Sequence, residues 1–120
     1  MKKVLAADDQ VANRELVRAL VEHFGHVVFE AGNGIEALQI AREIIPDLIL
    51  LDLHMPELDG FGVLQELRRD ARFTAIPIVA LTASAMRGDR EKALAAGFAG
   101  YIAKPVSLSV LRGQINHWLG

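Results

Sequence analysis

The sequence predicts an α/β domain in which five short strands alternate with five helices, a (βα)5 pattern. Five apolar runs are separated by longer segments in which apolar residues recur at helical spacing, including Leu16 in the first helix and Leu108 in the last. The third and fourth runs are apolar nearly throughout, as expected for strands that helices cover on both faces. This alternation implies right-handed crossovers, and therefore a doubly wound five-stranded parallel sheet.

The apolar runs themselves are the predicted strands. They are Val4–Ala7, Val27–Phe29, Leu48–Leu51, Ile76–Leu81 and Tyr101–Ala103. Pro77 lies near the start of the fourth run, where a sheet tolerates its missing N–H. Because no linker, repeat or low-complexity stretch interrupts the pattern, we expect a single domain over residues 1–120.

Residues that favour helix caps mark the helix boundaries. Asn33, with Glu36 three residues later, has the pattern of a capping box ahead of the second helix. The fourth helix is predicted over roughly Met86 to Ala96, and Gly97 follows it as a favourable residue just past the last turn. The remaining boundary residues are Gly25 after the first helix, Asp59 before the third and Ser107 before the fifth.

Composition excludes several classes of function. The chain of 120 residues is 52% hydrophobic with a net charge of −2, so it can build one core and lacks the concentrated basic charge of nucleic-acid binders. No cysteine is present, which excludes disulfides, zinc–thiolate sites and thiol catalysis. The first residues do not form a signal peptide, and no apolar run approaches the ~20 residues of a membrane span. We therefore expect a cytoplasmic protein that binds neither nucleic acid nor a membrane.

Polar side chains follow four of the five predicted strands. They are Asp8 and Asp9 after the first, Asp52 after the third, Thr82 after the fourth and Lys104 after the fifth. Because the carboxyl ends of parallel strands share one edge, we expect these side chains to meet in one crevice. The strand order 2-1-3-4-5, which is taken from known doubly wound sheets rather than derived from the sequence, would bring the three aspartates together.

Three clustered carboxylates repel one another unless a cation joins them. Mg²⁺ suits a site of few carboxylates, waters and a phosphate oxygen, and we expect Mn²⁺ to substitute for it. Lys104 would neutralise phosphate charge and Thr82 would donate a hydrogen bond to it. Asp52 would then be the nucleophile, since a carboxylate can form an acyl phosphate. Each residue taken singly fits a turn, cap or surface role, and only their shared edge favours this chemistry.

Four stretches of the chain resemble the receiver domain of two-component response regulators, and the resemblance covers essentially its whole length. They are Val4–Asp9, Asp52–Gly60, Leu81–Ala83 and Tyr101–Pro105. The resemblance implies a flavodoxin-like fold and a phosphorelay function, in which a histidine kinase or histidine phosphotransfer protein supplies the phosphoryl group. It also implies that the domain catalyses only its own phosphorylation and dephosphorylation, and is therefore not an enzyme acting on other substrates.

The resemblance further implies roles for individual residues around the metal. Asp52 resembles the phosphoacceptor and Lys104 the lysine that contacts the phosphate. Asp9 resembles the direct Mg²⁺ ligand, and Asp8 a ligand that acts mostly through water. The backbone carbonyl of His54 resembles the third protein ligand.

A second set of residues resembles the family's switch. Thr82 corresponds to the hydroxyl drawn toward the phosphoryl group, and Tyr101 to the ring that turns inward when the hydroxyl moves. The face of the fourth helix, fifth strand and fifth helix would then contact a downstream target. The side chains of His54 and Ser84 would tune dephosphorylation, and Pro105 resembles a proline often preceded by a cis bond. We expect a monomer or weak homodimer.

Two other classes of protein share some of these features. Phosphatases of the haloacid dehalogenase type also use an aspartate nucleophile and Mg²⁺, but they need a second carboxylate where this chain has His54. Nucleotide-binding flavodoxin-like proteins need a Gly-rich phosphate loop after the first strand, and none follows it here. The stretch Asn13–Leu16 resembles receivers attached to hybrid histidine kinases, so the sequence leaves open whether the domain acts alone or within a larger regulator.

Overall fold

The five strands form one parallel sheet in the order β2-β1-β3-β4-β5, as predicted. In the computed structural model, which describes residues 1–83 and 88–120, the strands are β1 Lys3–Ala7, β2 Val27–Ala31, β3 Leu48–Asp52, β4 Ile78–Thr82 and β5 Gly100–Ala103. The helices are α1 Val11–His23, α2 Gly34–Ile44, α3 Gly60–Arg68, α4 Asp89–Ala96 and α5 Leu108–Leu119. A short 3-10 turn over Ala71–Phe73 precedes β4. Across the two described ranges, no helix combines the length and the apolar character that crossing a membrane requires.

Most element boundaries agree with the sequence to within a few residues. Asn33 caps α2, where its side chain accepts a hydrogen bond from the backbone N–H of Glu36 at 2.8 Å. The fourth strand begins at Ile78 rather than at residue 76, because Pro77 has no N–H to donate to the sheet. Gly97 ends α4 with a φ of 113°, a conformation that suits glycine. The predicted start of that helix at Met86 lies outside the described residues.

Two hydrophobic clusters cover the two faces of the sheet. In β3, Ile49 and Leu51 belong to the cluster that packs under α2 and α3, whereas Leu48 and Leu50 belong to the cluster under α1 and α5. All five residues of β3 and all five of β4 are buried. The prediction that these strands are covered on both faces is therefore confirmed.

The helices bury narrower faces than their apolar spacing suggests. Val17 and Val21 are the buried residues of α1, whereas Leu16 is 41% exposed. Successive residues on a helix differ by about a third of a turn, so a face centred on Val17 and Val21 leaves Leu16 at its side. Leu108 is 43% exposed because it begins α5, one turn before the buried Leu111. Leu16 and Leu108 therefore share the apolar spacing of their helices without being buried.

Gly60 lets α3 begin directly against the end of β3. Its N–H donates to the Leu53 carbonyl at 3.1 Å. A Cβ atom at this position would lie 2.5 Å from the Asp52 carbonyl oxygen and 2.9 Å from the Leu53 Cα, closer than carbon atoms approach without displacement. The backbone of Asp52 is thus held between the sheet and the first turn of α3.

Candidate metal-binding site at the carboxyl edge of the sheet

Three aspartates meet where β1 and β3 end. Asp8, Asp9 and Asp52 each offer a carboxylate oxygen, and these oxygens lie within 4.8 Å of one another. Strands β1 and β3 are paired neighbours in which Ala7 lies opposite Leu51, so Asp8 and Asp52 follow side by side at the same edge of the sheet. Asp8 is 2% exposed and Asp52 is 4% exposed, whereas Asp9 is exposed. The predicted convergence of the three carboxylates is confirmed.

Lys104 brings a cation to the same crevice. Its Nζ atom lies 2.7 Å from Asp8 Oδ2 and 3.1 Å from Asp52 Oδ2. The residue follows β5, where its N–H donates to the Thr82 carbonyl at 2.8 Å and its bond to Pro105 is cis, as the resemblance implied. One ammonium group therefore bridges two buried carboxylates that come from different strands.

Burial and charge act in opposite directions on these groups. Burial raises the pKa of Asp52, and the neighbouring Asp8 charge adds to this, against hydrogen bonds from the His54 N–H and Lys104. Burial alone would lower the pKa of Lys104, but its contacts with Asp8 and Asp52 outweigh that effect and raise it. Lys104 is therefore held in its charged form, while the Asp52 carboxylate is poorly compensated.

The donor set fits a hard divalent cation. Within the described part of the chain, the buried Asp8 Oδ2 receives no directed hydrogen bond, and its contact with Lys104 is an ion pair only. Asp8 Oδ1 accepts from the Gln10 N–H at 2.9 Å, so the carboxylate is already oriented. Carboxylate oxygens are the ligands that Mg²⁺ prefers, and one lysine does not balance three carboxylates. Asp8, Asp9 and Asp52 are thus suited to hold such an ion.

Asp52→Asn is expected to stabilise the fold when Mg²⁺ is absent. Because the folded-state pKa of Asp52 is raised, the folded protein holds the carboxyl proton of Asp52 more tightly than the unfolded chain does. Stability therefore falls as the pH rises from the unfolded-state pKa through the folded-state pKa. At about pH 7 the neutral amide should therefore raise the free energy of unfolding by on the order of 1 kcal/mol, because a charge no longer has to be buried. Urea unfolding in the presence of a chelator measures it.

The matched control is Asp70→Asn. Asp70 is a carboxylate whose pKa is lowered to about 2 by hydrogen bonds from Arg72, so its ionised form is favoured in the folded state. The same substitution there should lower stability slightly. An Asp52→Asn protein that is no more stable than the wild type would contradict the charge balance described for the site.

Thr82 and His54 both lie near one carboxylate that the sequence analysis did not single out. The buried Thr82 hydroxyl donates to Asp89 Oδ2 at 3.2 Å. His54 Nε2 lies 3.8 Å from the same oxygen, although the His54 side chain is 69% exposed. Asp89 begins α4, so this carboxylate connects the first turn of that helix with the end of β4.

Two of the predicted switch and tuning residues, Tyr101 and Ser84, are not seen beside the carboxylates. Tyr101 is half-buried on the edge strand β5, opposite Ala80 and two positions before the residue that pairs with Thr82. Ser84 lies outside the described residues. The structure therefore brings together five of the predicted residues at one edge of the sheet: Asp8, Asp9, Asp52, Thr82 and Lys104. Tyr101 lies nearer the start of β5, away from this edge.

Two further polar residues adjoin the site without having been assigned a role from the sequence. Arg14 Nη1 donates to the Asp8 backbone carbonyl at 2.7 Å, and Asp89 accepts from Thr82. Arg14 belongs to the stretch Asn13–Leu16, which resembles receivers attached to hybrid histidine kinases. That resemblance did not predict a contact between Arg14 and Asp8. For Asp89 the sequence held no signal beyond its position near the start of a helix.

The chain is similar to known proteins over nearly its whole length. The response regulator receiver domain family matches residues 4–116. The polar-differentiation response regulator DivK of Brucella anthropi is 40% identical over 119 residues, which cover 99% of this chain and 97% of that protein. DivK of Brucella abortus has the same identity and coverage.

Solved structures of related proteins share the fold. The receiver domain of the sensor histidine kinase PA1611 from Pseudomonas aeruginosa, which has a magnesium ion coordinated in its active site cleft, is 34% identical with a TM-score of 0.91, over 99% of this chain and 98% of that one. The chemotaxis protein CheY4 of Vibrio cholerae is 30% identical with a TM-score of 0.91, over 98% of each chain. The chain therefore belongs to the response regulator receiver domain family, and is a domain of two-component signalling rather than a conventional enzyme.

Proposed function

We propose that Asp52 accepts a phosphoryl group from a phosphohistidine of a histidine kinase or histidine phosphotransfer protein, in a reaction that requires Mg²⁺ or, in its place, Mn²⁺. The observation that carries the proposal is the position of Lys104, whose ammonium group lies within 3.1 Å of both Asp8 and Asp52. Asp9 completes the carboxylate cluster within 4.8 Å. The buried Asp8 and Asp52, the exposed Asp9 and the Lys104 ammonium would thereby supply the nucleophile, the metal ligands and the cation that this reaction needs.

The transfer step conserves atoms and charge. An Asp52 carboxylate oxygen forms a bond to phosphorus while the bond between phosphorus and the donor histidine nitrogen breaks. The histidine nitrogen keeps the electron pair of the broken bond and takes up a proton from solvent. Negative charge spreads over three phosphoryl oxygens in the transition state, so a preorganised ammonium at Lys104 stabilises it. The Thr82 hydroxyl supplies a further donor, and the hydrogen bond from the His54 N–H at 3.1 Å orients the Asp52 side chain.

Four groups are proposed to hold the metal: the carboxylates of Asp8, Asp9 and Asp52, and the backbone carbonyl of His54. A bound Mg²⁺ would neutralise charge on the transferring phosphoryl group. The magnesium ion in the related PA1611 receiver domain supports this choice of metal. We also assign the side chains of His54 and Ser84 to tuning dephosphorylation. The exposure of the His54 side chain, two residues after Asp52, favours this assignment.

Intact-mass measurement after incubation with acetyl phosphate and Mg²⁺ tests the proposal. The wild-type protein should gain a single labile phosphoryl adduct, which a chelator prevents. Asp52→Asn should gain none. Asp47→Asn is the matched control, because Asp47 accepts from the Lys3 N–H at the start of β1, the opposite end of the strand from Asp8.

Three results would count against the phosphoacceptor assignment. No adduct with any small phosphodonor would remove its basis, as would undiminished labelling of Asp52→Asn. Repeated hydrolysis of external phosphate esters would instead favour a phosphatase of the haloacid dehalogenase type.

The face formed by α4, β5 and α5 is proposed to contact the downstream target. Ala93 is the buried residue of α4, so this helix has a small apolar anchor and a correspondingly low cost of displacement. When the Thr82 hydroxyl moves toward the phosphoryl group, its hydrogen bond to Asp89 in the first turn of α4 is lost. Phosphorylation then shifts the equilibrium toward a second arrangement of this face. The shift in free energy equals the difference between the interactions that the phosphoryl group makes in the two arrangements.

Fluorine NMR can follow Tyr101, the single tyrosine of the chain, after labelling with fluorotyrosine. Phosphorylation of the wild type should shift its one resonance. Thr82→Ala should still accept the phosphoryl group, because Asp52 and Lys104 remain, but the shift should be much smaller because the hydroxyl no longer moves. Thr74→Ala, at an exposed threonine before β4, serves as the control. An undiminished shift in Thr82→Ala would separate Tyr101 from the switch.

Residues 1–120 are proposed to act as a single receiver domain in the cytoplasm, as a monomer or weak homodimer. The absence of cysteine from the sequence suits a reducing compartment. Sedimentation velocity before and after phosphorylation measures the oligomeric state, and a stable dimer at low concentration would contradict this assignment.

A further inference from the structure

We infer that Arg14 is a positioning residue for the metal site, because its guanidinium holds the peptide between Asp8 and Asp9 in the orientation that presents the Asp9 carboxylate to the other ligands. The inference rests on the proposed function of these aspartates as Mg²⁺ ligands. It concerns a residue that touches neither the phosphoryl group nor the metal, and that acts through the backbone of the ligands.

Asp9 depends on its backbone for orientation. Asp8 is fixed by the Gln10 N–H and Lys104, and Asp52 is fixed by the His54 N–H and Lys104. By contrast, the Asp9 carboxylate forms no hydrogen bond or ion pair with any residue in the ranges 1–83 and 88–120. Its position in the cluster is therefore set by the peptide from which it projects.

Arg14 fixes that peptide. Its Nη1 atom donates to the Asp8 carbonyl oxygen at 2.7 Å. On the other side of the residue, the Asp8 N–H donates to the Ala31 carbonyl of β2 at 3.0 Å. The Asp8 carbonyl and the Asp9 nitrogen belong to one planar peptide unit, so fixing the direction of the carbonyl fixes the plane from which Asp9 begins.

Arg14 is itself held in place. Its Nε atom lies 3.3 Å from Glu30 Oε1, and its side chain is only 18% exposed. Glu30 also binds Arg18 Nη1 at 2.8 Å through its other oxygen. A planar guanidinium can bind Glu30 and the Asp8 carbonyl at once in a fixed geometry, whereas a lysine ammonium lacks this fork. The contact therefore depends on arginine and not only on positive charge.

The sign of the effect on Mg²⁺ affinity separates positioning from simple charge. Removing a cation beside a metal site strengthens the binding of Mg²⁺ if charge alone matters. Removing a group that orients a ligand weakens binding, commonly by about 10- to 100-fold for partners outside the ligand set. The two explanations therefore predict opposite changes in the same dissociation constant.

Mg²⁺ titration of the unphosphorylated protein, followed by amide NMR shifts, gives that constant. Arg14→Ala should bind Mg²⁺ about 10-fold more weakly than the wild type. Arg14→Lys, which keeps the charge but not the fork, should also bind more weakly. Arg18 also pairs with Glu30, but its second partner is Glu22 and not Asp8. Arg18→Ala should therefore leave the Mg²⁺ dissociation constant unchanged. Urea unfolding of each variant measures stability separately.

Affinity that is unchanged or tighter in Arg14→Ala overturns the inference. If that variant does not fold, Arg14→Lys decides in the same way, since wild-type affinity there would exclude a positioning role. Loss of Mg²⁺ binding in Asp9→Asn alongside normal binding in both Arg14 variants overturns the role of Arg14 alone. A wild-type protein that binds no Mg²⁺ overturns the inference and the proposed function together.

Discussion

Replacing Lys104 by methionine is expected to slow phosphoryl transfer to Asp52 by about 100-fold or more. The Lys104 ammonium is preorganised between Asp8 and Asp52, with only 12% of its side chain exposed, so it stabilises developing charge without reorganisation. Removing a single preorganised donor of this kind costs roughly 10²- to 10³-fold in rate. The rate of adduct formation from acetyl phosphate at saturating Mg²⁺, followed by intact mass, measures the loss.

Two further variants show whether charge or position is responsible. Lys104→Arg keeps the charge and should retain part of the rate, whereas Lys2→Met removes an exposed lysine far from the site and should retain all of it. Without Mg²⁺, Lys104→Met should also be less stable than the wild type, because two buried carboxylates lose their shared cation. Added Mg²⁺ should restore part of that stability. A wild-type rate in Lys104→Met would exclude the role assigned to the ammonium.

Gly60→Ala is expected to destabilise the domain by about 2 kcal/mol or more and to displace the end of β3. The added Cβ would lie 2.5 Å from the Asp52 carbonyl oxygen and 2.9 Å from the Leu53 Cα. Both are backbone atoms, so no side-chain rotation relieves the overlap, and forced packing of this kind commonly costs 1–3 kcal/mol. Urea unfolding measures the free-energy change, and NMR shifts of the Asp52 and His54 amides report the displacement.

Gly113→Ala is the matched control for Gly60→Ala. Gly113 lies within α5, and a Cβ there would meet nothing within 4 Å among the described residues. Alanine in a helix interior is favoured over glycine by roughly 0.5–1 kcal/mol, so this variant should be more stable than the wild type. Equal effects of the two substitutions would show that close approach to β3 does not restrict position 60.

The sequence predicted the convergence of the aspartates because parallel strands place their carboxyl ends at one edge. Asp8 and Asp52 needed only this rule and the strand order, and the order itself was taken from known doubly wound sheets. Lys104 was expected at the same edge for the same reason. These residues are fixed by backbone topology, which periodicity in a sequence reports well.

Contacts that depend on side-chain reach were not predicted. The hydrogen bonds from Arg14 to Asp8 and from Thr82 to Asp89 each join a helix to the end of a strand, and they depend on the rotation of that helix against the sheet. Apolar spacing defines this rotation loosely, as the exposure of Leu16 shows. Polar contacts that depend on it therefore become visible only in three dimensions.

Borohydride trapping tests the central claim most directly, because it reports the residue that carries the phosphoryl group. An acyl phosphate on aspartate is reduced to homoserine, which peptide mapping then locates in the chain. After incubation with acetyl phosphate and Mg²⁺, we expect homoserine at position 52, and none when either reagent is omitted. Homoserine at Asp8 or Asp9 instead, or a phosphoryl group found on another residue while position 52 stays unmodified, would contradict the assignment of Asp52.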